Sequence, residues 1–134
     1  MRKSLQMRQK HWDIPIFILL FWILHKILAG GRVVESYGED PYLAGELGKQ
    51  MILGLQSEGI VATPKHFAVY SIPVGGRDGG TRTDPHVAPR EMKTLYLEPF
   101  RKGIQEAGAL GVMSSYNDYD GEPVSGSYHS SRRF

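Results

Sequence analysis

The sequence predicts an α/β fold in which helices connect the strands of a parallel sheet. From Gly31 onward the chain alternates helix, strand, loop, helix and strand, and both strand candidates are short apolar runs. The length sets a limit, because 134 residues suffice for one domain whereas a closed eightfold β/α barrel needs roughly 250. A barrel built from this chain is therefore expected to be partial. The alternation alone does not separate such a barrel from an open, doubly wound sheet.

Residues 1–30 differ in composition from the rest of the chain. Basic residues precede an apolar run at 14–24, which suits the core of a signal peptide better than a membrane span of about 20 residues. The small residues Ala29 to Gly31 offer a cleavage site. We expect a signal, an anchor with membrane contact through residues 14–28, or a gene-boundary artefact, and a buried strand or helix around Phe21–Ile23 stays open. A genuine signal or anchor would make the protein secreted or membrane-attached.

The first clear helix is predicted over residues 41–56. Asp40 can cap the free amides of its first turn, Pro41 is tolerated at its first position, and Gly59 supplies a left-handed stop. Apolar side chains recur every four residues and are expected to form the buried face; they are Leu43, Leu47, Met51 and Leu55.

The rest of the chain repeats this pattern. A short buried strand is predicted over Ile60–Thr63, and Pro64 ends it. Residues 71–89 are rich in glycine, proline and charged side chains, which predicts a long loop. A second helix is predicted over 89–107, split or kinked at Pro99 and stopped by Gly108. Its apolar positions are Met92, Tyr96, Phe100 and Ile104. A strand over 110–116 and a loop or turn over 117–121 follow.

Composition excludes several classes of function. The net charge of +2 is too close to balance to indicate a nucleic-acid partner, and the absence of cysteine excludes disulfides and thiol nucleophiles. Ser114 and Ser115 lack the Gly-x-Ser-x-Gly frame, and the glycine-rich loop matches no nucleotide-binding fingerprint. The histidines and aspartates that could be combined into a metal site show no ligand spacing; they are His66, His86, His129, Asp78, Asp84 and Asp118.

Polar side chains follow both strand candidates, where parallel α/β folds bind their ligands. Lys65 and His66 come directly after the first strand, and Tyr116 ends the second. Neighbouring side chains of a regular strand point to opposite faces, so Lys65 and His66 can reach one pocket only if the backbone is distorted there, and we predict such a distortion. A solvated lysine beside a hydrogen-bonded histidine stays open as an alternative. By composition, Arg32 belongs to a solvated, salt-bridged loop with Glu35, Glu39 and Asp40.

Three motifs resemble those of the barrel domain of glycoside hydrolase family 3. They are Gly-Arg-Val-Val-Glu-Ser-Tyr-Gly-Glu-Asp-Pro-Tyr at 31–42, Lys65-His66-Phe67, and Gly-Val-Met-Ser-Ser-Tyr-Asn-Asp-Tyr-Asp-Gly-Glu-Pro-Val-Ser-Gly at 111–126. Their order and spacing fit, and together they cover nearly all of residues 31–129. The resemblance implies a partial (β/α)8 TIM-type barrel over 31–134, preceded by the hydrophobic segment at 1–30.

The resemblance also implies an activity and a set of sugar-binding residues. Family members hydrolyse O-glycosidic bonds of β-glucosides or β-xylosides in carbohydrate catabolism with retention of configuration, on small saccharides or oligosaccharides, and no metal or organic cofactor is implied. Arg32, Lys65 and His66 match residues that bind the sugar before the scissile bond. Tyr116 matches a tyrosine close to the nucleophile.

No catalytic residue is expected in this chain. In the family, the nucleophile lies in a Ser-Asp motif some tens of residues past the third motif, and the acid/base follows later still. The nucleophile is therefore expected beyond Phe134, the last residue of the sequence. Asp118 and Asp120 lie inside the third motif and are not at the nucleophile's position.

These expectations combine into one main hypothesis with two alternatives. The main hypothesis is a barrel fragment that carries sugar-binding residues and is inactive alone. One alternative is a non-catalytic carbohydrate-binding or membrane-attached protein. Another is a chain that folds only with a complementary fragment.

Overall fold

A computed structural model describes Ile16–Phe17, residues 36–70 and residues 84–127. Its elements are β1 (Ile16–Phe17), α1 (Pro41–Ser57), β2 (Val61–Ala62), α2 (Pro89–Glu91), α3 (Glu98–Arg101), β3 (Asp118–Tyr119) and β4 (Glu122–Pro123). Two π-helical stretches, Met92–Tyr96 and Lys102–Glu106, continue α2 and α3; residues 89–106 together are called the second helical stretch below.

Several predictions from the sequence fall on other parts of the chain. Arg32, residues 71–83 of the predicted loop at 71–89 and most of residues 1–30 lie outside the described residues. The same holds for residues 128–134, which include His129 and end at Phe134. The expectation that the nucleophile lies beyond Phe134 therefore stays a prediction.

Strand pairing in the first part of the chain is parallel. Ile16 lies opposite Val61 and Phe17 opposite Ala62, so β1 and β2 are parallel neighbours with α1 between them in the chain. Beyond β2, a parallel bridge joins Phe67 to Ser114, and the second helical stretch lies between those two segments. The described residues thus show the predicted α/β arrangement of parallel pairing with helical connections.

The predicted strands are longer than the observed ones. β2 has two residues, and the segment 110–116 forms one isolated bridge instead of a regular strand. Pro64 carries no amide hydrogen for a ladder bond, which ends β2 early. Residues 110–116 nevertheless keep the period of a strand, because the side chains exposed to solvent are the alternate ones Leu110, Val112, Ser114 and Tyr116.

The boundaries predicted for α1 are confirmed to within one residue. Oδ1 of Asp40 accepts hydrogen bonds from the amides of Tyr42 and Leu43 at 2.7 and 3.0 Å, and Pro41 is the first helical residue. The helix ends at Ser57, and Gly59 follows in the left-handed region at φ 78°.

The buried face predicted for α1 is wrong. Leu43, Leu47 and Met51 are 51%, 44% and 44% exposed, and Leu55 is half-buried. The buried residues are the next row along the helix: Ala44, Gly45, Gly48 and Ile52. The second helical stretch comes so close that a Cβ at position 45 would lie 3.3 Å from Cα of Pro99. Small residues permit this approach. The helix therefore buries the row that contains Ala44, Gly45 and Gly48, and the row with the larger side chains faces solvent.

The second helical stretch is split, as predicted, and the α-helical part before the break passes into a π-helical segment. The amide of Leu97 donates to the carbonyl of Met92 at 2.9 Å, and the chain bends at Leu97, two residues before Pro99. Gly108 ends the stretch at φ 65°. Tyr96 and Phe100 are buried as expected, and Met92 and Ile104 are half-buried against the same core.

Within the described residues, two hydrophobic clusters hold these elements together. One consists of Ile52, Ala62 and Ala107 and joins α1, β2 and the end of the second helical stretch. The larger one consists of Ala68, Val69, Val87, Tyr96, Leu97 and Phe100. Ala68 and Val69 directly follow the motif Lys65-His66-Phe67, so the second helical stretch supports the end of β2, where the candidate site lies.

The third motif forms a β-hairpin where a loop or turn was predicted. β3 and β4 are antiparallel, with Asp118 opposite Pro123 and Tyr119 opposite Glu122. The two turn residues Asp120 and Gly121 have φ values of 53° and 79°, which is the backbone that an Asp-Gly pair favours in a two-residue hairpin turn. In the described part of the chain, no helix has the length and apolar character that crossing a membrane would require.

Candidate functional site

The backbone after β2 does not continue as a regular strand. The peptide bonds Lys65–His66 and Phe67–Ala68 are both cis, and Val69 has a φ of 63°. Lys65 is half-buried and His66 is 7% exposed. Because β2 ends at Ala62, Lys65 and His66 lie outside a regular strand, and strand alternation does not govern where their side chains point.

Hydrogen bonds tie this distorted segment to the start of the third motif. The amide of Phe67 donates to the carbonyl of Met113, and the amide of Ser115 donates to the carbonyl of Phe67, both at 2.7 Å. The buried hydroxyl of Ser115 adds a bond to the carbonyl of Ala68 at 3.0 Å. The ends of two neighbouring strand segments are thereby held side by side.

Three aromatic rings meet at this junction. The ring centroids of His66 and Tyr116 are 6.3 Å apart, and the ring of Tyr70 lies 4.9 Å from His66 and 6.1 Å from Tyr116. His66 is buried, Tyr70 is half-buried and Tyr116 is 72% exposed, so the group opens towards solvent at Tyr116. We call these three residues the aromatic triangle.

The structure thus brings together two of the four predicted site residues, His66 and Tyr116. Lys65 is the chain neighbour of His66 at the same strand end. Arg32, the fourth, lies outside the described residues. The arrangement offers cationic and polar hydrogen-bond donors beside aromatic surface.

Tyr70 is a member of the group that the sequence did not predict. It follows His66 by four residues, but the chain between them turns at Val69 and belongs to no regular element. Neither the period of a strand nor that of a helix applies there, so no periodicity argument could place Tyr70 next to His66 and Tyr116.

Asp84 fixes the hairpin that follows Tyr116. Its Oδ2 accepts a hydrogen bond from the amide of Gly121 at 2.6 Å, and its Oδ1 accepts one from the amide of His86 at 3.2 Å. The bond from Gly121 is the main cause that holds the pKa of the Asp84 carboxyl below its usual value. We call this contact the Asp84 clamp; it links the chain after the glycine-rich loop to the turn of the hairpin.

Asn117 is the buried residue between Tyr116 and the hairpin. Its Nδ2 donates to the carbonyl of Asp118 at 2.8 Å, and its own carbonyl accepts from the amide of Val124 at 3.1 Å. Within residues 36–70 and 84–127, no three or more histidine, aspartate or glutamate side chains are grouped so that they could hold a metal ion.

Comparison with known proteins identifies the family. The model of the glycosyl hydrolase family 3 N-terminal domain matches residues 23–130, which include all three motifs and the aromatic triangle. The chain belongs to glycoside hydrolase family 3. The N-terminal domain of this family is a TIM-barrel-like fold, and the described residues form a small unit of mixed helices and strands.

Curated relatives in this family are β-glucosidases and β-xylosidases. The chain is 39% identical over 98 residues to β-glucosidase B of Emericella nidulans, covering 73% of this chain and 11% of the relative. It is 40% identical over 101 residues to a β-xylosidase of Formosa agariphila, and this match covers 69% of this chain and 14% of the relative. The chain therefore spans little more than a tenth of the length of these relatives.

A solved structure of the family shows the same fold locally. The structure of β-glucosidase 3B from Thermotoga neapolitana in complex with glucose matches with a TM-score of 0.75 and 27% identity, over 87% of this chain and 16% of that one. The family and the local fold of the chain thus agree between sequence and structure comparisons.

Proposed function

We propose that this chain carries sugar-binding strand ends of the catalytic barrel of a retaining β-glucosidase or β-xylosidase. We propose further that the nucleophile and the acid/base are supplied from outside these 134 residues, the nucleophile from a segment that would follow Phe134. The meeting of His66 and Tyr116, whose ring centroids lie 6.3 Å apart, is the observation that carries the proposal. These residues belong to two separate motifs, and the parallel bridge between Phe67 and Ser114 puts both at one end of the paired segments.

The roles of the residues follow from their chemistry. Lys65, His66 and Arg32 offer donors for the hydroxyl groups of a pyranose in the subsite before the scissile bond. Tyr116 offers a phenol and an exposed ring close to the reacting carbon. The glucose complex of the Thermotoga neapolitana enzyme supports a saccharide as the ligand.

In a retaining enzyme, an aspartate oxygen bonds to the anomeric carbon as the bond to the leaving oxygen breaks and a glutamic acid protonates that oxygen. The resulting glutamate then takes a proton from water, whose oxygen displaces the aspartate and releases the sugar. In this scheme, residues of the present chain bind and orient the sugar, and no metal or organic cofactor is required.

We also propose that residues 31–134 form part of a TIM-type barrel. The succession of β1, α1, β2, the second helical stretch and the segment 110–116 supports this arrangement, since neighbours along the chain pair in parallel. Within the apolar run at 14–24, Ile16 and Phe17 form the strand β1. The strand or helix that the sequence leaves open around Phe21–Ile23 lies outside the described residues.

Two measurements on the chain test the proposal. We expect no hydrolysis of p-nitrophenyl β-glucoside or β-xyloside above buffer. We also expect weak, millimolar binding of methyl β-glucoside in saturation-transfer NMR, because an incomplete pocket encloses little of a sugar. Binding should disappear in Lys65→Ala and persist in the control Lys93→Ala, which changes an exposed lysine of the second helical stretch.

Each result has a distinct meaning. Turnover by the isolated chain would refute the assignment of the catalytic pair to residues outside it. Binding far tighter than millimolar would favour a non-catalytic carbohydrate-binding protein. Absence of any pyranoside binding at high millimolar concentration would contradict the sugar-binding role of Lys65, His66 and Tyr116.

A further inference from the structure

We infer that Tyr70 is a further sugar-contacting residue of the site, and that Tyr70 and Tyr116 together bind the carbon-hydrogen face of a pyranose. This inference rests on the proposed function and extends it to a residue outside the predicted set. The ligand class is a β-pyranoside whose hydroxyl groups are equatorial, as in glucosides and xylosides.

The first argument is position. Tyr70 lies nearer to His66 than Tyr116 does, with ring centroids 4.9 Å apart against 6.3 Å. The Tyr70 and Tyr116 rings are inclined by 74° at 6.1 Å, within the range of aromatic pairs in contact. A ligand that touches both predicted residues, His66 and Tyr116, therefore comes within reach of Tyr70.

The second argument is that the backbone holds Tyr70 in place. The preceding residues Ala68 and Val69 are buried in the larger hydrophobic cluster. The carbonyl of Ala68 accepts the buried hydroxyl of Ser115 at 3.0 Å, directly before Tyr116. This hydrogen bond joins the residue next to Tyr116 to a residue two positions before Tyr70, so it holds the backbone segments that carry the two tyrosines side by side. Less backbone ordering is then needed when a ligand binds.

The third argument is chemical. A β-glucoside or β-xyloside places its hydroxyl groups around the rim of the ring and leaves hydrogens bonded to carbon on both faces. Lys65 and His66 suit the polar rim, but neither offers a large apolar surface. Tyrosine supplies a flat apolar ring with few rotatable bonds, and two rings at a large angle can contact a face and an edge of one pyranose.

The test compares ring loss with hydroxyl loss at position 70. Methyl β-D-glucopyranoside is titrated against the chain by saturation-transfer NMR. Tyr70→Phe should bind within about twofold of the unchanged chain. Tyr70→Leu should bind roughly three- to tenfold more weakly, which corresponds to the usual contribution of an aromatic contact. Leu53→Ala, at an exposed apolar side chain on α1, is the control and should leave affinity unchanged.

A second readout does not depend on the leucine variant folding. In the unchanged chain with ring-labelled tyrosine, resonances of Tyr70 and Tyr116, assigned through their phenylalanine variants, should shift on adding the glucoside. Sorbitol, which has hydroxyl groups but no pyranose face, should not shift them.

The outcomes separate this inference from the proposed function. An unmoved Tyr70 resonance, or a folded Tyr70→Leu with unchanged affinity, while Lys65→Ala abolishes binding, would overturn the role of Tyr70 and leave the proposed function intact. If the unchanged chain binds no pyranoside, the proposed function fails first and this inference fails with it.

Discussion

The ammonium group of Lys102 lies 2.5 Å from Oε1 of Glu46, although the Lys102 side chain is only 4% exposed. The same nitrogen lies 3.6 Å from the centroid of the Tyr42 ring. Glu46 also pairs with Lys49 at 2.8 Å, and Lys49 reaches Glu106 at 3.0 Å. An alternating chain of charges thus joins α1 to the second helical stretch, which supports the end of β2.

The buried member of this pair predicts an asymmetric response to mutation. Glu46→Gln should lower the urea midpoint of unfolding, because it leaves the charge of Lys102 buried without its anionic partner. Lys102→Met should change the free energy of unfolding by less than about 1 kcal/mol or raise it, since an apolar side chain of similar size needs no partner and Glu46 keeps Lys49.

The double variant is the control for this prediction. Glu46→Gln combined with Lys102→Met should unfold close to the midpoint of Lys102→Met alone, because the neutral glutamine no longer faces a buried charge and only the weaker, more exposed pair with Lys49 is lost. Equal effects of Glu46→Gln in the two backgrounds would show that the pair has no energetic coupling.

Two glycines of α1 should respond in opposite directions to alanine. Gly45→Ala should lower the free energy of unfolding by about 1–3 kcal/mol, because the new Cβ would meet Cδ of Lys102 at 2.7 Å and Cα of Pro99 at 3.3 Å. In Gly54→Ala the new Cβ has no neighbouring atom within 4 Å. This variant should raise the free energy of unfolding by about 0.5–1 kcal/mol, because alanine favours the helix more than glycine does. Urea denaturation measures both, and a stabilising Gly45→Ala would contradict the close helix contact.

The same glycine explains why the limits of α1 could be predicted and its buried face could not. Caps depend on local residues, so Asp40, Pro41 and Gly59 determined the ends. The buried face depends on how closely the neighbouring helix approaches. Leu43, Leu47 and Met51 have the right spacing and more apolar surface than the row of Ala44, Gly48 and Ile52, yet only the smaller row fits against the second helical stretch.

The Asp84 clamp predicts part of the acid sensitivity of the fold. Because the pKa of Asp84 is depressed in the folded state, the clamp contributes fully above the unfolded-state pKa of about 4, and this contribution is lost as pH falls below that value and through the lower folded-state pKa. Asp84→Asn should therefore lower the free energy of unfolding at pH 7. The difference in free energy of unfolding between this variant and the unchanged chain should become smaller as the pH is lowered to 2.5. Urea unfolding at several pH values measures this difference.

His86 provides the control for the clamp. Its imidazole is 84% exposed, and Nδ1 lies 3.7 Å from the Asp84 carboxylate, whereas the hydrogen bond to Asp84 comes from the backbone. His86→Asn, which tolerates the φ of 47° at this position, should keep the acid response of the unchanged chain. Loss of the response in His86→Asn would assign the effect to the imidazole and not to the amide of Gly121.

A matched pair of serines tests the link beneath the aromatic triangle. Ser115→Ala should lower the free energy of unfolding by about 1–3 kcal/mol, because the carbonyl of Ala68 loses a buried hydrogen bond. Ser57 makes the same type of bond, to the carbonyl of Gly54 at 2.7 Å, but in solvent, and Ser57→Ala should stay within about 0.5 kcal/mol. Similar losses in the two variants would refute a special role for the buried bond.

For the candidate site, the sequence predicts the strand ends and not how they meet. Lys65, His66 and Tyr116 stand out because polar residues follow apolar runs. Tyr70 escapes prediction because its place depends on the bond between Ser115 and Ala68, which joins segments far apart in the chain.

That bond also bears on the order of folding. It closes a loop of 47 residues, whereas α1 and the second helical stretch form from neighbours in sequence. Helical circular dichroism should therefore recover in the early milliseconds of refolding, and the aromatic triangle should assemble in a slower, later step. During its synthesis on the ribosome, the chain would form its helices well before it could bind a sugar.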